Sequence, residues 1–498
     1  MTAPLCALLF FALTLNAQQS DGLAEQSQRA KELMAHHEYD KAIPIYEQLM
    51  KAMPGDPGLL FNLGLAEHMA GHEQESVVHF EEVLKTQPKF VPALVSLAGA
   101  RLALDEPQLA IAPLEKTLAQ EPGNQEARGM LASAFEAAGR PEQAADEYRK
   151  LTAATPSDPR AWSGLGTSYE AVATRAFDRL QKIDPQSPYV SALIADTRVQ
   201  RRQYRSAFFF YQQTLKRLPK LHGIHAALAT VYRKTDHPDW ADQEETKERL
   251  LPPPDCHAHP HECDFIAGHD LQAITFTATA KPTPEELFWQ AKAANELALQ
   301  AFFQLGQLPP SVELHRLKAE IARAQNEDME SVKEWRAALQ LSPGDPDLER
   351  ELIASLFMAR DYRSALAEAT KILQIDPHSP VMNFTAGDSL LRLEEPEKAV
   401  PYLKAALAGD PKMLPADASL GLALARLGKN TEAVPHLEKS LQLDDDGSLH
   451  YQLARAYQAG GEAEKARTTM EKYQEIVKRN QEQKDEVARE AQIVSPHE

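Results

Sequence analysis

A small residue, a large one four places later and a proline eight places after that recur along the chain at an interval of 34 residues. The sets are Ala42/Tyr46/Pro54, Ser76/Phe80/Pro88, Ala110/Leu114/Pro122 and Ala144/Tyr148/Pro156. After a break come Ala207/Tyr211/Pro219, Ser331/Trp335/Pro343, Ala365/Ala369/Pro377 and Ala399/Leu403/Pro411. Ala433/Leu437 and Ala466/Met470 continue the series without the proline. Such a period is the mark of stacked supersecondary units, each burying its apolar face on the next. Length agrees, because 498 residues exceed the ~250–300 at which a single core stops growing.

Each unit also carries a large-x-x-Leu-Gly/Ala segment ahead of its small residue. Examples are Leu60…Leu63-Gly64, Leu94…Leu97-Ala98, Trp162…Leu165-Gly166…Tyr169 and Leu420-Gly421. Apolar residues spaced by three and four predict two helices per unit, each with one buried stripe. The Gly or Ala and the later small residue let the two helices approach closely. The proline ends the second helix, since its ring cannot continue the backbone bonding. The pattern resembles the tetratricopeptide repeat (TPR) family, and the WSGLGTSY run Trp162–Tyr169 matches the first half of its signature residue for residue. About twelve units are recognisable, over residues 22–253 and 285–478. The resemblance implies an all-α solenoid, a right-handed superhelix of helix pairs, with a non-catalytic role in protein–protein contact.

Two units break the rhythm. After Tyr169, EAVATRAFDRLQKIDP runs on without a Gly or Pro turn, and ANELALQAFFQLGQLPP repeats the device 125 residues later. Phe302, Leu305 and Pro310 echo Phe177, Leu180 and Pro185. Each stretch reads as one long helix or two helices with a tight kink, and the duplication suggests two lobes. The expected layout is a signal peptide (1–17), an N-terminal array (22–253), an irregular insert (254–284), a C-terminal array (285–478) and a charged, disordered tail (479–498).

The apolar run Leu5–Leu15 is too short to span a bilayer and fits the central region of a signal peptide, although no Lys or Arg precedes it. It predicts export to the periplasm or envelope of a bacterium, with no membrane insertion after cleavage. The formal net charge of −19 argues against nucleic acid or an anionic membrane surface as the main partner.

The insert holds Cys256, His257, His259, His261, Cys263 and His269. In an exported chain, cysteines this close most simply form a Cys256–Cys263 disulfide. Thiolates and imidazoles are also zinc and copper ligands, so a metal site at Cys256, His257, His259, His261 and Cys263 is the alternative, with free thiols a third possibility. No cofactor is expected, and no motif for a nucleophilic serine, a P-loop or a dinucleotide fold is present. His68 and His72 read as solvated residues near a turn. The run Phe208-Phe209-Phe210-Tyr211 sweeps about 300° of a helix, so it either fills space beside the shortened unit or leaves an aromatic patch exposed.

The resemblance further implies a concave groove lined at positions near 2, 5, 9 and 12 of each unit. In this chain those positions offer Phe61, Leu65, His68, Val95 and Leu102, then Arg316, Arg323, Arg350, Phe357, Phe384, Asp388 and Leu391. Such a groove suits an extended or helical peptide from a partner protein, with self-association also open. The basic clamp with which some family members hold a C-terminal carboxylate is absent at the matching positions, which argues against a chaperone-tail adaptor. The alternative functions are a metal- or redox-active protein working through the insert, or the substrate-holding subunit of a separate envelope enzyme.

Overall fold

The computed structural model describes residues 22–274, 281–490 and 492–496, and no β-strand occurs among them. Antiparallel helices succeed one another, as in Tyr39–Ala52, Pro57–Ala70, Glu73–Thr86 and Val91–Ala103, each packed on its neighbours in the chain. The chain forms two compact units. The first comprises 22–175, 269–274 and 290–307; the second comprises 176–268, 281–289 and the described residues from 308 on.

Numbering every unit so that its small residue is position 20 brings out what the backbone repeats. The turn between the paired helices places position 15 in the left-handed region eleven times among the described residues: at His37, Gly71, Asp105, Gly139, Arg202, Asp236, Asn326, Arg360, Glu394, Gly428 and Gly461. Only four of these are glycine, so turn geometry is imposed by helix packing even where the residue disfavours it. Positions 4 and 23 form a second repeating contact across the helix pair. Arg128 pairs with Glu147 at 2.6 Å, His225 with Glu244, His315 with Glu334 at 2.6 Å, and His436 with Asp417 at 2.8 Å.

Position 8 is where the helices come closest. A Cβ built on Gly64 would stand 3.0 Å from the Phe80 ring, on Gly387 2.7 Å from Leu403, and on Gly421 2.8 Å from Leu437. In each case the neighbour is position 24 of the same unit. The unit beginning near Trp162 departs from this rule. Its turn is missing, and one uninterrupted helix runs Pro159–Ile183, so no second helix folds back to supply position 24. Phe302, 136 residues downstream in the other long helix, Pro284–Gln307, takes that place. An added Cβ on Gly166 would lie 2.2 Å from its ring. Ala298 and Ala301 are buried in the same cluster as Leu165 and Tyr169. In the first unit, then, 290–307 acts as the second helix of the pair begun at Pro159.

Two expectations change on this evidence. The aromatic run is split: Phe208 and Tyr211 are buried, whereas Phe209 and Phe210 are half-buried and meet edge to face at 5.3 Å. The segment expected as a disordered tail instead continues as helix to Glu490, with Lys478 and Glu482 spaced by one turn at 3.9 Å where it begins. Beyond it, the Val494 carbonyl accepts from the Tyr232 hydroxyl at 2.8 Å within the second unit.

The close approach at Gly166 predicts a sign reversal. In an open helix, Gly→Ala stabilises by about 1 kcal/mol. Gly166→Ala is expected instead to destabilise by about 1–3 kcal/mol through overpacking. Urea unfolding of the single variants and of Gly166→Ala/Phe302→Ala checks this: the double variant should cost clearly less than the sum. Additivity would disprove the contact.

Candidate functional site

In the first unit, helices Val91–Ala103, Gln125–Ala137 and Pro141–Ala154 enclose a cleft of about 730 Å³. Leu102, Gly129, Met130, Ser133, Tyr148 and Arg160 line it. Gly129 and Ser133 stand at positions 5 and 9 of the fourth unit, and Leu102 at position 12 of the third. Nothing lies within 4 Å of where a Cβ on Gly129 would stand, so the missing side chain opens the cleft floor. Its polar wall is built on Tyr148, whose hydroxyl donates to Glu136 at 2.9 Å. Ser168 also donates to Glu136, at 2.9 Å. Burial holds the Glu136 carboxyl above the usual carboxylate range despite these donors, and burial beside Glu136 pushes the Tyr148 hydroxyl up. The wall therefore presents a hydrogen-bonding edge in a mostly apolar surround.

The residues expected to line a groove fall into three groups. Leu102 joins the cleft. Phe61, Leu65, His68 and Val95 are half-buried; Phe61 stacks edge-on against Phe90 at 5.2 Å, and His68 pairs with Glu73 at 2.6 Å. In the second unit, Arg316 and Arg350 are exposed, Arg350 pairing with Asp347, while Arg323 meets Glu351 at 2.8 Å. Phe357 rests edge-on against Tyr362, and Phe384 is half-buried. Asp388 and Leu391 are corrections, for each is only 2% exposed. Asp388 accepts from Ser419 at 2.6 Å, and Leu391 belongs to the core, so the following unit covers both. Gly129, Ser133 and Tyr148 were missed. Applying positions 5 and 9 to the fourth unit would have found the first two.

A second cleft of about 750 Å³ in the first unit is lined by Trp162, Leu165, Tyr169, Leu297 and Phe303. Periodicity carries no signal for it, because one wall comes from the helix supplied by the distant segment 290–307.

The insert lies in the second unit. Cys256 and Cys263 stand there as a bonded pair, with Cα atoms 5.6 Å apart, flanking the start of a short helix, Pro260–Ile266. Of the alternative metal set, the pairing occupies both cysteines and His257 is exposed. Among the described residues, His259 is the one member of that set in a group of three ligand-bearing side chains, and its companions are glutamates rather than thiolates. Its Nδ1 pairs with Glu285 at 2.6 Å, which holds the imidazole above its ordinary range. His222 pairs with Glu262 at 2.8 Å.

Models of the tetratricopeptide repeat family match residues 27–90, 101–166, 384–448 and 447–472. The chain is a tetratricopeptide repeat protein. Among solved structures, a tetratricopeptide repeat protein from Parabacteroides merdae is 14% identical, over 68% of this chain and 99% of its own, with a TM-score of 0.32. MamA from Desulfovibrio magneticus is 21% identical, over 34% and 96%, with a TM-score of 0.31. YrrB, described as a TPR protein with an unusual peptide-binding site, is 21% identical, over 32% and 84%, with a TM-score of 0.28. No curated protein matches. As a TPR protein the chain belongs to a class of protein-interaction scaffolds that are typically non-catalytic. No helix among the described residues is long and apolar enough to cross a membrane.

The cysteine geometry gives a direct count. In a Cys6→Ser background, the unreduced, denatured protein should expose no thiol to a maleimide label, and two after reduction. Two labels before reduction would return the insert to the free-thiol reading.

Proposed function

We propose that this TPR protein holds an extended or helical segment of a partner protein in the first-unit cleft between Leu102 and Tyr148. The observation that carries the reading is the opening at Gly129. An unfilled, largely apolar floor faces a polar wall at the positions where the family's grooves are lined. A cleft of this kind takes an apolar side chain on its floor, while the Tyr148–Glu136 edge meets a backbone or side-chain donor. The helices that form it are already packed, so the receptor loses little entropy on binding.

The test is in-cell cross-linking of tagged full-length protein, followed by mass spectrometry. One partner should be captured near stoichiometry by the wild type. Gly129→Trp, which fills the cleft from an open position, should lose it with the helical circular dichroism unchanged. Capture that survives Gly129→Trp would move the site elsewhere, and no enrichment at all would reject the scaffold reading.

We also propose export to a bacterial envelope compartment. Support comes from the apolar run Leu5–Leu15, which lies outside the described residues, and from a cysteine pair that suits an oxidising compartment. Protein recovered from the periplasmic fraction should begin after Ala17 by intact mass. Full-length protein confined to the cytoplasm would refute it.

A further inference from the structure

Histidine–carboxylate pairs are a habit of this chain: His225–Glu244, His315–Glu334 and His436–Asp417 each join two helices of one unit. At the insert two such pairs converge instead of standing alone. His259, Glu262 and Glu285 each bring one ligand atom to within 4.8 Å of the others, the one such group of three among the described residues. His222 stands beside this group through its 2.8 Å contact with Glu262. Three separate segments of the chain supply these groups. His222 precedes the helix Ile224–Lys234, His259 caps the helix Pro260–Ile266, Glu262 follows one turn later, and Glu285 opens the helix Pro284–Gln307.

Bringing two carboxylates this close is unfavourable unless positive charge lies between them, from a protonated His259 or from a bound cation in its place. Glu262 is only 7% exposed, so solvent screens it poorly. The neighbourhood adds further negative charge: Asp255 and Glu286 line the clefts on either side, with volumes of about 350 and 440 Å³. His259 and Glu285 border both clefts, which gives an ion a path to the cluster. Trp289, 1% exposed, lines the larger cleft, and its indole N–H has no acceptor. A carboxylate or water on an ion held at this cluster would be an acceptor for such a donor.

We propose that His259, Glu262 and Glu285, with His222 holding Glu262 from outside the group, form a binding site for a divalent cation of the zinc class. Imidazole nitrogen with carboxylate oxygen suits zinc and its first-row neighbours, whereas calcium and magnesium favour oxygen alone. The ion fastens the Cys256–Cys263 insert to the start of the helix Pro284–Gln307. The site uses no thiolate, which separates it from the metal set that the sequence pattern suggests. It is also independent of the peptide cleft, which lies in the first unit.

The test is calorimetric titration of chelator-treated, full-length protein with ZnCl2. One ion per chain should bind with a dissociation constant in the micromolar range or tighter. Co2+ should give visible bands without thiolate charge transfer. Glu285→Gln and Glu262→Gln should each weaken binding at least tenfold while helical content is kept; Cys256→Ser/Cys263→Ser and His257→Ala should leave it within about twofold. Absence of saturable binding by the wild type would overturn the site whatever the variants do. Binding that follows the cysteines, or ignores both glutamates, would overturn the ligand assignment.

Discussion

Most helix pairs depend on the packing of a bare or nearly bare backbone at position 8 against a large side chain at position 24; the Ala365 unit reverses the two, with Ile353 at position 8 and Ala369 at position 24. At Gly64, Gly387 and Gly421, an added Cβ would fall 2.7–3.0 Å from a Phe or Leu side chain. Protein interiors have no slack at this scale, so the small residue sets how near the second helix can come. That distance in turn fixes the turn. With helices so close, position 15 is driven into the left-handed region even where it is Arg202 or Glu394. Backbone strain at the turn is the cost of close packing along the pair.

The same constraint explains what happens where a turn is lost. Position 15 of the Trp162 unit is Ala173, inside a continuous helix, and the unit has no returning partner. Gly166 still leaves a helix face that requires a ring, and Phe302 provides it from a distant part of the chain. The contact rule is kept while the connectivity changes. The polar contacts behave likewise: single His–carboxylate pairs recur within units, and among the described residues a group of three forms at the insert, where the repeat is interrupted.

Much of this was legible in advance because a period is a strong signal. Ala42, Ser76, Ala110 and Ala144 were recognisable as close-approach sites, and all are fully buried. Pro54, Pro88, Pro122 and Pro156 do follow helix ends at Ala52, Thr86, Gln120 and Ala154. Asp388 and Leu391 show where position alone misleads. They sit at nominal groove positions, but whether such a residue faces a ligand or the next unit depends on how closely that unit stacks. The cysteine pairing was readable from proximity in sequence. The grouping of His259 with Glu262 and Glu285 was not, because Glu285 lies beyond the insert and carries no motif.

The sequence by itself determined the class of the fold, the helix pairs and their boundaries. These depend on contacts between residues within one 34-residue unit, where spacing translates directly into a shared helix face. Only the tertiary structure decided that 290–307 completes the pair begun at Pro159, that Gly129 opens a cleft, and that two histidines and two glutamates meet at the insert. Those features join residues from separate units or separate parts of the chain. Periodicity is blind to them, because it records which face a residue occupies and not what is packed against that face.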